Sequence, residues 1–181
     1  YLIENCIYGV DIQPIAVQIA KLRFFISLVV DQALDDSREN RGIIPLPNLE
    51  TKFVAANSLL PAGTGQMALR SEDIAIWENE LGDVRRRHFT ARTPATKAKW
   101  RKRDGELREV IKELLLEDIF FQLLPEANTI AERLAHWDPY DQNSSADFFD
   151  PEWMFGLTEG FHILIGNPPY VRQEKIRELK P

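Results

Sequence analysis

Asn167, Pro168, Pro169 and Tyr170 form one run directly after the apolar residues Ile163-Leu164-Ile165 and Gly166. Each proline fixes its own φ near about −65° and pushes the residue before it toward extended backbone. The run therefore reads as a stiff, non-helical turn. The apolar residues before it read as a buried strand over 161–165 that ends at the glycine. Such a turn holds an amide side chain, backbone carbonyls and an aromatic ring in a fixed relation. The Asn167 side-chain oxygen and the Pro168 carbonyl can accept the two N–H bonds of a planar NH2 group, and the Tyr170 ring can stack on its face. That is chemistry for holding and presenting an exocyclic amine.

A second arrangement lies near the amino end. Ile7-Tyr8-Gly9-Val10-Asp11 reads as a short apolar strand ending in an acid, and a helix opens at once, with Pro14 suited to its first turn. Ile15, Ile19, Leu22, Ile26 and Val29 recur at steps of four, three, four and three, which predicts the buried face of that helix. A further strand and its exit loop follow over 52–60, with Asn57 at the exit. Read alone, Asn57 is a loop residue able to satisfy its own turn.

The run Gly166-Asn167-Pro168-Pro169-Tyr170-Val171-Arg172 resembles the catalytic motif of amino-methyltransferases that use S-adenosylmethionine. It is most similar to that of the adenine-specific DNA methyltransferases of restriction-modification systems, in particular the large fused restriction-methylation enzymes. The resemblance implies an α/β fold, here a partial Rossmann-like methyltransferase sheet with an inserted helical hairpin. It implies that Asn167 and Pro168 hold the target amine, with Pro169 shaping the turn. Tyr170 would stack on an adenine flipped out of double-stranded DNA. It implies further that Asp11 binds the ribose hydroxyls of S-adenosylmethionine, that Ile12 packs on the cofactor's adenine, and that Asn57 hydrogen-bonds the adenine amine. His162 departs from the pattern, which often carries an aspartate there.

In that topology a first strand and a glycine-rich methionine-binding loop precede Asp11 by about twenty residues. Only ten residues stand before Asp11 here, and the glycine among them is Gly9. The expectation is an internal fragment of a longer enzyme, joined in its parent to further domains and, in some such enzymes, to an endonuclease. The isolated fragment is expected to be inactive and to bind S-adenosylmethionine weakly. The missing strand would lie between the second and fourth, so a direct pairing or a strand from another molecule should close the gap.

The chain divides into 1–60, a partial methyltransferase core, 61–134, an inserted helical hairpin, and 135–181, an aromatic loop leading to the catalytic-motif strand. In the hairpin, Ile74, Trp77, Leu81 and Val84 mark one helix. Thr93-Pro94 starts a second one that carries Leu107, Ile111, Leu114, Ile119 and Leu123. Between Arg85 and Arg103 lie nine of the chain's 22 basic residues and none of its 28 acids. A basic patch on a chain of net charge −6 is an electrostatic footprint for a polyanion. Arg85, Arg86, Arg87, Arg101, Lys102 and Arg103 are the leading candidates for DNA phosphate contacts, with Arg92, Lys97 and Lys99 beside them. A solvated helical tip is the competing reading. From Ala135 to Gly160, aromatics alternate with acids, which reads as a loop folding its rings onto the sheet edge.

At 181 residues and 44% hydrophobic content the chain can bury one core. One cysteine, Cys6, excludes a disulfide framework within the chain and reads as a small buried hydrophobe. His88, His136 and His162 lack ligand spacing, so no metal is assigned. No apolar run reaches the length of a membrane span and no signal peptide is visible, which implies a cytoplasmic setting. Two other functions fit the residues: a protein glutamine methyltransferase, since an amide NH2 suits the same turn, and a non-catalytic DNA-binding module.

Overall fold

A computed structural model describes residues 2–43, 47–63 and 72–167. Pro168, Pro169 and Tyr170 lie outside the described residues. After a short helix α1 (Leu2–Asn5), strand β1 (Gly9–Asp11) leads into helix α2 (Pro14–Val30). Strand β2 (Phe53–Ala55) returns beside β1 in parallel, with Gly9 opposite Phe53, Val10 opposite Val54 and Asp11 opposite Ala55. Helices α3 (Glu72–Thr90) and α4 (Pro94–Glu117) follow, then α5 (Ile119–Gln122), α6 (Ala127–His136) and α7 (Pro151–Phe155). Helix α2 between the parallel strands β1 and β2 makes the β-α-β unit expected at the amino end.

Local chemistry accounts for these boundaries. Pro14 takes the first position of α2, and the Gln13 N–H is satisfied by Asp11 Oδ1 at 2.8 Å. Gly9 is required by a close approach, because a Cβ there would stand 2.4 Å from the Phe53 ring. The start of α4 is a reciprocal cap between Thr93 and Thr96, with Pro94 in the first turn. The three-residue turn 91–93 reverses the chain, so α3 and α4 lie antiparallel. Asn48, which is buried, donates its side-chain amide to the carbonyls of His88 at 2.6 Å and Ala91 at 2.8 Å. It thereby satisfies carbonyls that the end of α3 would leave bare and ties that end to the segment entering β2.

One hydrophobic cluster runs through all three sequence segments. It joins Val54 and Ala56 to Ile74, Leu81 and Val84 of α3, to Leu107, Ile111 and Leu115 of α4, and to Phe148, Trp153 and Met154. A smaller cluster holds α2 on the sheet through Val17, Phe53 and the Phe24 ring, whose centroid lies 4.7 Å from that of Phe53. Trp137, Phe148 and Trp153 enter the large cluster, and Ala146 forms a single parallel bridge to Ala56 at the outer edge of β2.

Several expectations need correction. The stripe Ile15, Ile19, Leu22, Ile26 and Val29 does not face the core; all five are exposed, and α2 packs through Val17, Ala20, Lys21 and Phe24 instead. The helix is apolar on two opposite faces, and a sheet of two short strands covers only one. The run 161–165 is not a buried strand: among the described residues it pairs with neither β1 nor β2, and Ile163, Leu164 and Ile165 are all exposed. A strand is held by backbone partners, and the open edge of β1 is not occupied by this segment. The direct pairing that was to close the sheet is therefore not made. Ile119 and Leu123 are exposed because α4 ends at Glu117 and Asp118 turns to extended backbone. Cys6 is exposed.

Candidate functional site

The parallel pairing of β1 and β2 brings Asp11 and Asn57 to the same end of the sheet. Asp11 closes β1, its carbonyl accepts the Ala56 N–H at 2.9 Å, and Asn57 follows directly as β2 runs into its loop. Residues separated by 46 positions in sequence thus share the carboxyl edge of the strands, where open parallel sheets bind their ligands. The Asp11 side chain is exposed; Oδ1 takes the Gln13 N–H, and Oδ2 has no partner among the described residues. Ile12, at 59% exposure, presents an apolar side chain beside it.

Asn57 is half-buried, and its side-chain oxygen accepts the Leu59 N–H at 3.2 Å while its backbone N–H reaches the Ala146 carbonyl at 2.9 Å. The side-chain oxygen therefore caps its own loop, and the NH2 group makes no hydrogen bond among the described residues. An acceptor pair for a vicinal diol, an apolar side chain and an amide, side by side, suit the ribose and base of a nucleoside.

The segment leading to the motif is anchored at Phe161. Phe161 packs among Tyr8, Phe149 and Phe155, with ring centroids at 6.0, 6.5 and 6.2 Å. Beyond it, residues 162–167, Asn167 included, are exposed. His162, the departure from the expected aspartate, is among them.

The basic run is divided by burial. Arg85 is 6% exposed, and its Nε donates to Asp104 Oδ2 at 2.8 Å. Asp104 is sealed from solvent and also accepts from Arg108 Nε at 2.8 Å and from the Tyr140 hydroxyl at 3.2 Å. The two guanidiniums then donate to the carbonyls of Trp153, Ala135 and Trp137. This buried cluster clamps α3 and α4 to the aromatic segment. Arg85 is thus removed from the set of phosphate contacts, because its charge is spent inside the core. The burial that surrounds Tyr140, with the negative Asp104 beside it, pushes the phenol far above its ordinary range.

The other candidates differ among themselves. Arg86 pairs with Asp83, Arg101 with Glu50 at 3.0 Å, Lys102 with Glu106 at 3.7 Å, and Arg103 with Glu80 at 2.6 Å. Arg101 also sets its Nε 3.3 Å from His88 Nε2, and the His88 ring packs against Tyr140. Since an arginine only donates, His88 Nε2 is the acceptor and the ring is held neutral. Burial lowers the His88 pKa, with Glu50 opposing and Arg101 assisting.

Sequence reasoning missed Asn48, Asp104, Arg108 and Tyr140. The one available signal was Asp104 itself, an acid at the end of a long basic run and four residues before Arg108, on the same helical face. Among the described residues, no group of three or more His, Cys, Asp or Glu side chains could hold a metal ion, and no helix is long and apolar enough to cross a membrane.

Comparison with known proteins adds two findings. Residues 5–181 match the family model of the Eco57I restriction-modification methylase. A protein of Methanocaldococcus jannaschii named as a type II restriction enzyme and methyltransferase, RM.MjaORFECS2P, is 46% identical over 59 residues, which are 33% of this chain and 5% of that protein. The matched region is thus about a twentieth of that relative's length. No solved structure matches the chain.

Proposed function

This chain belongs to the Eco57I restriction-modification methylase family, and from that membership we propose that it carries part of the active site of an adenine-specific DNA methyltransferase with S-adenosylmethionine as donor. Membership gives the restriction-modification methylase family; the methyltransferase activity, the adenine target, the donor and the residue roles are the proposal. The observation that carries it is the juxtaposition of Asp11, Ile12 and Asn57 at the carboxyl ends of two paired parallel strands, in a chain that also bears Asn167-Pro168-Pro169-Tyr170.

Bound S-adenosylmethionine supplies an electrophilic methyl group. Asp11 would hold its ribose hydroxyls through Oδ2, Ile12 would cover the face of its base, and Asn57 would meet the base edge. Asn167 Oδ1 and the Pro168 carbonyl would each accept one N–H of the target amine, which turns the nitrogen lone pair toward the donor. A neutral exocyclic amine held in this way needs no strong base, and its proton can leave to water after transfer. Tyr170 would stack on the flipped adenine, and Pro169 would stiffen the turn. The fold implied is a Rossmann-like methyltransferase sheet, of which β1, α2 and β2 would be one unit and the α3–α4 hairpin an insertion. The remaining domains of a longer parent would supply the rest of the site and the choice of DNA sequence.

The test is methylation by the full-length enzyme of duplex DNA, with a glutamine-bearing protein as the competing substrate. Asn167→Ala should cut methyl transfer by about a hundredfold or more, the scale of losing one positioned polar group, with affinity for S-adenosylmethionine little changed. Tyr170→Ala should weaken capture of the target base, while Tyr170→Phe keeps most activity because stacking needs only the ring. Transfer to the protein and not to DNA would replace this reading with the glutamine methyltransferase.

A further inference from the structure

The end of the hairpin carries a cation cluster whose members differ in a way the sequence does not reveal. Arg86, Arg101, Lys102 and Arg103 each have a carboxylate partner, and Arg85 is buried. Arg87 of α3 and Lys99 of α4 have none among the described residues. Both approach the same indole: the Arg87 guanidinium lies 5.3 Å and the Lys99 ammonium 4.8 Å from the Trp100 ring centroid. Trp100 is half-buried and packed against the large core cluster, so it is a fixed platform. Arg92, in the turn between the helices, is a third exposed cation with no carboxylate partner among the described residues; Lys97 lacks one too but is half-buried.

Arg87, Lys99 and Trp100 line one open groove of about 570 Å³ between α3 and α4. Its acids, Glu80, Asp83 and Glu106, are engaged by Arg103, Arg86 and Lys102. What remains toward solvent is positive. Two like charges gathered on one ring repel each other, and the ring quadrupole offsets only part of that. An anion between or beside them relieves the rest. Because the indole already restricts both side chains, less rotamer freedom is lost when they engage a ligand.

The location matters as well. Phe89 and Glu50 tie this end of the hairpin to the segment that enters β2, through the Asn48–Phe89 and Arg101–Glu50 bonds. Asp11 and Asn57 stand at the opposite, carboxyl end of the strands. A ligand meeting Arg87 and Lys99 is therefore met at the other pole of the sheet from the candidate cofactor residues.

We propose that Arg87 and Lys99, ordered on Trp100, form with Arg92 of the adjoining turn a phosphate-binding surface for duplex DNA outside the target base pair. The proposal rests on the DNA reading above and narrows the phosphate contacts to the exposed cations of the basic run that have no carboxylate partner among the described residues. Such contacts add affinity on every sequence and carry no base information.

The experiment measures binding of the full-length enzyme to duplex DNA as salt is raised. Arg87→Gln with Lys99→Gln should make the slope of log affinity against log salt shallower by about two units, near 0.9 per lost phosphate contact. The loss should be the same on cognate and non-cognate duplexes. Arg87→Lys should restore about half of the change in the Lys99→Gln background, since a phosphate contact needs only the charge. Lys112→Gln, a cation elsewhere on α4 paired with Glu109, should leave the slope as it was. An unchanged slope in the double variant, or an equal change in Lys112→Gln, overturns the surface while methylation of DNA by the parent upholds the reading it rests on. Failure of the parent to methylate any DNA overturns that reading instead.

Discussion

Arg85 Nε donates to Asp104 Oδ2 at 2.8 Å in the interior, and Arg108 closes the carboxylate from its other side at the same distance. One buried acid thus holds two guanidiniums, one from each helix of the hairpin. Buried ion pairs add little net stability over well-packed apolar groups, but removing one member strands a charge.

Asp104→Ala should therefore destabilise the chain by about 3–5 kcal/mol. Two guanidiniums would lose their carboxylate, and the Tyr140 hydroxyl its acceptor. Urea unfolding followed by tryptophan fluorescence reads the change, since Trp137 and Trp153 are packed beside the cluster. A midpoint like that of the parent would mean that the pair is not sealed in solution.

His88 gives a pH dependence with a definite sign. Burial lowers its folded pKa below the ordinary value of 6.5, so the unfolded chain binds the proton more readily. The contribution is fully present above about pH 6.5 and is lost as pH falls through that value toward the folded pKa. Stability of the parent relative to His88→Gln should fall between pH 7.5 and 5.5, with a slope no steeper than about 1.4 kcal/mol per pH unit for one proton. Parallel stability curves for the two proteins would contradict a neutral, buried imidazole.

Asp11→Ala in the full-length enzyme should weaken S-adenosylmethionine binding by roughly tenfold to a hundredfold, the range for hydrogen bonds to a charged group. Affinity for duplex DNA should not follow it, because the carboxylate would face the cofactor. Calorimetric titration with each ligand separates the two. Equal cofactor affinity in the variant would return Asp11 to a plain turn residue before α2, the role its bond to the Gln13 N–H already fills.

Gly9→Ala should cost about 1–3 kcal/mol, the usual range for overpacking. The added methyl would meet the Phe53 ring at 2.4 Å, and Phe53 is itself pinned against Phe24. Gly9→Ala combined with Phe53→Leu should lose less than the sum of the two single changes. Strict additivity in thermal unfolding would show that the ring moves aside freely.

The sequence by itself determined the elements whose signals are local. Pro14 and Thr93-Pro94 mark helix starts because a proline suits a first turn and a threonine can cap one. The two apolar segments ending at Asp11 and before Asn57 became paired parallel strands, and their shared edge follows once the pairing is given. Periodicity placed Ile74, Leu81, Val84, Leu107 and Ile111 in the core, because each of those helices has one apolar face.

Tertiary structure decided what local pattern leaves degenerate. Helix α2 has two apolar faces at the same helical period, and only the sheet selects Val17 and Phe24 over Ile15 and Ile19. An apolar run such as Ile163–Ile165 has the composition of a strand, but a strand forms only where an edge supplies backbone partners. The basic run from Arg85 to Arg103 is uniform in sequence and divided in space, because Asp104, Glu50, Glu80, Asp83 and Glu106 reach it from outside. Charge is counted along a chain, but whether it is free or spent depends on which acids the fold brings within a few ångströms.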